Sequence, residues 1–156
     1  MNSVVLPQFW LPARAKCSGA PSGTAVFAAR GEYVYFLDSD DVPRAEALWR
    51  LTQAAREKRL DMAKARFCFL NDETGELTDG AAICPTDVLE GGALLAAQCQ
   101  SGTYEPMVWQ CVYRRAFLLE NGLRMAEGLL FEDELFQAPA LIRAKRAAVF
   151  DAVILE

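Results

Sequence analysis

The stretch GEYVYFLDSDDVP, Gly31–Pro43, decides the reading of this chain. EYVYFL is a short run of aromatic and β-branched residues bounded by Gly31 and Asp38, the pattern of a central strand buried on both faces. It ends in three carboxylates, Asp38, Asp40 and Asp41. In open α/β sheets ligands bind outside the carboxyl ends of the strands, which is where these acids are placed. Adjacent carboxylates repel unless a cation or donors offset their charge, and hard oxygen ligands suit Mg²⁺ or Mn²⁺. The bland alternative is that Asp41 caps the next helix while the other two acids are solvated.

Working outward, Ala45, Leu48, Trp49, Thr52 and Ala55 recur at helical spacing, and Asp41 with Pro43 makes a helix start, so a helix is predicted from Val42 to about Leu60 with its Leu48/Trp49 face on the sheet. DMAKARFCFLND alternates with the two-residue period of a strand, and NDETGE reads as a hairpin turn. Asp87–Gln100 is predicted as a short helix despite Gly91 and Gly92, with a break at Ser101-Gly102. MVWQCVY fits either a strand or a tight helical segment. RRAFLLENG is a helical pattern stopped at Gly122. The acidic cluster FEDELF then precedes a helix, QAPALIRAKR, with Pro139 in or near its first turns, and AAVFDAVILE closes the chain as a strand. Strands alternating with helices imply an α/β sandwich with a mostly parallel sheet. Residues 1–24, punctuated by Pro and Gly, form an irregular segment ahead of one domain over 25–156.

With 156 residues, 53% of them hydrophobic, the chain can bury one core. A net charge of −5 with dispersed acids gives no basic patch for a phosphate backbone, which argues against nucleic acid as a partner. The apolar runs are too short to cross a bilayer, and the opening residues do not read as a signal peptide, since Pro7 and Pro12 interrupt the apolar part and Arg14 and Lys16 follow it. Five cysteines without a C-x-x-C pair suggest reduced thiols in a cytoplasm. No histidine is present, so His triads and His-ligated metals are excluded, and proton transfer falls to carboxylates, thiols, tyrosines or lysines.

Two chemistries place Asp-x-Asp just after a hydrophobic strand. Asp38-Ser39-Asp40-Asp41-Val42 resembles the D-x-D-x-[TV] of haloacid-dehalogenase-type phosphatases, but no G-D-x-x-x-D follows. ARGEYVYFLDSDDVPRAEALWRL, by contrast, resembles the segment of family 2 glycosyltransferases in which a Gly-Glu-Tyr strand leads into the metal-binding Asp-x-Asp, and VWQCVYRRAFLLENGLRMAEGLLFEDELF resembles their second half. Two motifs in the right order are more specific than either alone. The resemblance, from about Ala28 to the C-terminus, implies a GT-A-like, Rossmann-like fold and inverting transfer of a sugar from a nucleotide-diphosphate sugar, a UDP-sugar by preference, to a saccharide or glycolipid acceptor. It assigns Asp40 to a Mn²⁺ or Mg²⁺ on the donor diphosphate, Asp38 to the donor's ribose or sugar and Asp133 to the general base. Trp109, Tyr113 and Glu132 become candidates for the acceptor site, with the core as the alternative for the two aromatics and a helix N-terminus for the glutamate. Arg114 and Arg115 are read as phosphate anchors or a solvated face.

The family opens with a Val/Ile-rich strand ending in a Pro-x-Tyr-Asn-like segment and a second strand ending in Asp-Asp-Gly-Ser, and neither is recognisable here. The expectation is a reading frame truncated or frame-shifted at its start, with the first nucleotide-binding half missing. Weak or absent nucleotide affinity and self-association through exposed sheet edge would follow. A non-catalytic remnant of the same fold is the rival reading. Relatives implied by the resemblance build cell-surface polysaccharide or glycolipid, so the expected location is cytoplasmic, including the inner face of the membrane.

Overall fold

A computed structural model describes residues 26–38, 41–71, 73–80, 83–126 and 131–155. Asp40 and residues 1–25 lie outside the described residues, so the metal assignment and the irregular N-terminal segment do too. The strands are β1 (Tyr33–Tyr35), β2 (Met62–Leu70), β3 (Leu77–Asp79), β4 (Cys111–Arg114) and β5 (Ala147–Leu155). The helices are α1 (Ala45–Glu57), α2 (Gly91–Ser101), α3 (Arg115–Glu120) and α4 (Glu132–Arg143), with a 3-10 turn over Val108–Gln110 before β4.

The sheet is mixed, which corrects the expectation of a mostly parallel one. β2 pairs with β5 in parallel, but β4 runs antiparallel to both β1 and β2, and β3 returns antiparallel along the end of β2. The reason is local. β1, β2 and β5 share a direction, as the strand–helix alternation implies, and the short β4 enters reversed between β1 and β2. Hydrophobic patterning gives a strand's faces, not its direction.

Helices cover both faces of the sheet, as expected for a sandwich. Met62, Val149, Cys111 and Tyr113 pack with Leu94 of α2, Phe117 of α3 and Phe136, Ala140 and Leu141 of α4. Ala63, Ala65, Phe67, Val112 and Ala148 pack with Leu51 and Ala55 of α1. β2 is therefore buried on both sides at its start, the role expected of EYVYFL. β1 itself is only half-buried and three residues long, and it pairs with no described strand but β4.

The local signals in the loops hold up better than those at the helix starts. Asn71 Oδ1 accepts from the N–H groups of Glu73 and Thr74 in the β2–β3 turn, and Gly75, Gly102 and Gly122 take positive φ where a turn or a helix end needs it. α1, however, starts at Ala45 with Arg44 in the capping position and no side-chain cap, so Asp41 is not its cap. Its buried residues are Leu51 and Ala55, and Trp49 stays 41% exposed. FEDELF does not precede a helix but opens one: Glu132, Asp133 and Glu134 form the first turn of α4, which leaves Pro139 in its interior. Among the described residues no helix is long and apolar enough to cross a membrane.

Candidate active site

Strand register gathers the site. Tyr35 of β1 lies opposite Val112 of β4, so the chain beyond each, toward Asp38 on one strand and back toward Val108 on the other, leaves the sheet at the same end. Along β1 and its extension, Val34 and Phe36 face the α4 side, and Tyr33, Tyr35 and Leu37 face the α1 side. Phe36, Tyr113 and Phe136 form a triangle of edge-to-face rings with centroids 5.6–5.8 Å apart. Such contacts each add about 0.5–1.5 kcal/mol beyond the area they bury. The triangle fixes the end of β1 against the start of α4, two residues before Asp38 and three after Asp133.

Asp133 is half-buried, and its Oδ2 accepts a hydrogen bond from the Val108 N–H at 3.1 Å. Burial pushes its carboxyl above the ordinary range, with the charges of Glu132 and Asp38 acting in the same direction and the Val108 N–H opposing them. Asp38, 95 positions earlier in the chain, is thus close enough to bias the proton on Asp133. A carboxylate of raised pKa is a stronger base at neutral pH than an ordinary aspartate.

The other sequence candidates divide between this site and the core. Glu132 stands beside Asp133 in the first turn of α4. Tyr113 is fully buried, its hydroxyl 2.6 Å from Gln137 Oε1, so it belongs to the core beneath the site and offers no surface to an acceptor. Trp109 packs edge-on against Phe67, 4.6 Å between centroids, in the cluster on the α1 side, away from the face that holds Asp133. Arg114 donates from Nε and a terminal nitrogen to Asp61 Oδ1 at 3.1 and 2.7 Å, and Asp61 Oδ2 also accepts from the Lys145 and Arg146 N–H groups. Arg115 donates to the carbonyls of Val26 and Phe27. Both arginines therefore act as structural ties.

Sequence reading missed the polar layer below the site. Lys64, 1% exposed, lies opposite Cys111 in the β2–β4 ladder and donates to the Glu105 carbonyl at 2.9 Å. Gln110 Nε2 donates to the Glu105 carboxylate, and Gln137 Nε2 lies 3.2 Å from Cys111 Sγ. Alternation along β2 sets Lys64 with Arg66 opposite the Ala63, Ala65 and Phe67 face and so points it outward, and nothing local marks Gln110 or Gln137.

Among the described residues no three His, Cys, Asp or Glu side chains are gathered as a metal site. Negative charge nevertheless collects at this end of the sheet. Asp38 and Glu132 raise Asp133, and the Tyr35 phenol, its oxygen buried and without a hydrogen-bond partner among the described residues, is pushed up by burial and by Asp41 and Asp38.

An α/β sandwich with acids crowded at one end of its sheet suits more than one chemistry, and the relatives in sequence and fold are glycosyltransferases. YibD of Escherichia coli (strain K12), an uncharacterized glycosyltransferase, is 33% identical over 127 residues, covering 76% of this chain and 36% of YibD. EpsJ of Bacillus subtilis (strain 168), also an uncharacterized glycosyltransferase, is 27% identical over 137 residues, covering 82% of this chain and 38% of EpsJ. The crystal structure of S. aureus TarS 1-349 in complex with UDP-GlcNAc matches with a TM-score of 0.67 at 25% identity, over 88% of this chain and 38% of TarS 1-349. Its complex with UDP matches with a TM-score of 0.65 at 26% identity, over 85% of this chain and 37% of that one. No family model matches. The chain spans between 36% and 38% of the length of these relatives.

Proposed function

We propose that this chain carries the diphosphate and acceptor side of an inverting, family 2-type glycosyltransferase site. In this reading Asp38 contacts a UDP-sugar, Asp133 takes the proton from a saccharide or glycolipid hydroxyl, and the product is cell-surface polysaccharide or glycolipid. The observation that carries it is the aromatic triangle that sets the end of β1, two residues before Asp38, against the first turn of α4, which bears Asp133. The UDP-GlcNAc and UDP complexes of TarS support the choice of donor. Asp40 would hold a Mn²⁺ or Mg²⁺, which when bound supplies charge neutralisation for the departing diphosphate.

The chain's own residues supply the rest. The Val108 N–H orients the Asp133 carboxylate, and Glu132 and Asp38 keep it basic. A base on the acceptor side and a leaving group on the other favour inversion at the reacting carbon. The test is transfer from UDP-sugars, or their hydrolysis, by wild type and Asp133→Asn. The expected loss in the variant is on the order of 10²–10⁴-fold. The wild-type rate should fall on the acid side at a pH above that of an ordinary aspartate, because the proton must leave Asp133 first. Equal turnover in the variant would remove Asp133 from the mechanism.

A further inference from the structure

Tyr113 sits where β4, the 3-10 turn and α4 meet, and it keeps a hydroxyl there that packing alone does not require. Its ring fills the space between Phe36 and Phe136, a task a phenylalanine would also perform. A buried hydroxyl costs free energy unless it is paired. Here it is paired with elements that carry Asp133. The hydroxyl donates to Gln137 Oε1 at 2.6 Å and has the Val108 carbonyl as a second acceptor at 3.4 Å. Gln137 and Phe136 follow Asp133 by four and three residues, so both lie one turn along on the same helix face. Val108 is held at both ends, its carbonyl facing Tyr113 and its N–H donating to Asp133.

We propose that Tyr113 is a positioning residue for Asp133, its hydroxyl pinning the start of α4 and Val108 to β4 so that the Val108 N–H stays on the carboxylate. The functional meaning rests on the reading of Asp133 as the base, whereas the geometric coupling does not. Among the described residues the charged groups that bear on Asp133 are Glu132 on its own helix and Asp38 beyond β1, and neither is altered by a change at Tyr113.

Tyr113→Phe keeps the ring and deletes the hydroxyl. The experiment follows two NMR signals in the full chain: hydrogen exchange of the Val108 amide and the carboxyl-carbon titration of Asp133, identified by its loss in Asp133→Asn. Exchange should quicken about fivefold, the equivalent of one ordinary hydrogen bond. The Asp133 midpoint should move further upward, because weaker N–H donation favours the charged form less. A folded Tyr113→Phe with both signals at wild-type values overturns the proposal, even if its melting temperature drops. Should that variant fail to fold, Gln137→Met, which removes the hydroxyl's acceptor, is judged by the same two signals. Neither signal depends on turnover, so an inactive chain would count against the glycosyltransferase reading and leave this one standing.

Discussion

Lys64 carries an ammonium into the sheet face it shares with Met62 and Cys111, with the Glu105 carbonyl as hydrogen-bond acceptor and the Tyr104 ring 6.0 Å away. Burial lowers its pKa, with the Glu105 carboxylate among the groups that oppose the shift. The sign of its effect on stability follows from linkage. A lysine whose folded pKa lies below its unfolded value leaves the unfolded chain holding more protons between the two, so stability rises with pH across that window. Above about pH 10 the buried tyrosines reverse the trend, since Tyr33, pushed up to about 12, keeps its proton in the folded state and loses it in the unfolded one. Urea denaturation on approach to about pH 10 should therefore show a contribution from Lys64 that rises with pH, opposed by the Cys111 thiol, which burial pushes up. Lys64→Met should remove that contribution, and it should be more stable at neutral pH if relief of the buried charge exceeds the roughly 1–3 kcal/mol of leaving the Glu105 carbonyl without its donor. A variant that is less stable at neutral pH would mean that the Glu105 carbonyl needs its donor more than the sheet gains from losing the charge.

Helix α2 opens with two glycines that sequence treats alike, as liabilities, and the packing separates them. A Cβ on Gly91 would come within 1.9 Å of the Leu141 carbonyl oxygen and 3.0 Å of Ala144 Cβ, so the helix start is pressed onto the backbone of α4. A Cβ on Gly92 would meet nothing within 4 Å. Gly91→Ala should cost about 1–3 kcal/mol through forced separation of α2 and α4. Gly92→Ala should gain about 0.5–1 kcal/mol from helix propensity. Thermal melts of the two variants check this, and similar shifts in one direction would refute the close approach. The contrast shows where legibility ends. Terminators were readable, because Gly102 and Gly122 act through their own backbone. Gly91 was not, because its reason lies 50 residues away. The same holds for VWQCVYR, a three-residue turn followed by a four-residue strand, too short for either period to settle and silent about the strand's reversed direction.

At the scale of the whole molecule, the acidic end of the sheet was legible and the layer beneath it was not. Asp38 and Asp133 stood out because an apolar pattern stops at one and a dense acidic cluster surrounds the other. Tyr113, Gln137 and Val108 join the site only through contacts spanning 5 to 26 residues, which no local pattern encodes. That end of the sheet is also where chain segments far apart in sequence converge: Arg44, just after the acids, donates its N–H to the Ile154 carbonyl near the end of β5, and Val108 holds Asp133. The proposed function requires Asp38, Asp40 and Asp133 to belong to one site for a metal-bound nucleoside diphosphate. Paramagnetic broadening of amide signals by UDP with Mn²⁺ tests this most directly, since it registers even weak binding. The expected result is broadening centred on Phe36, Leu37, Val108 and Glu132, dependent on UDP and abolished in Asp40→Ala. Broadening elsewhere, or a pattern in Asp40→Ala identical to wild type, would contradict it.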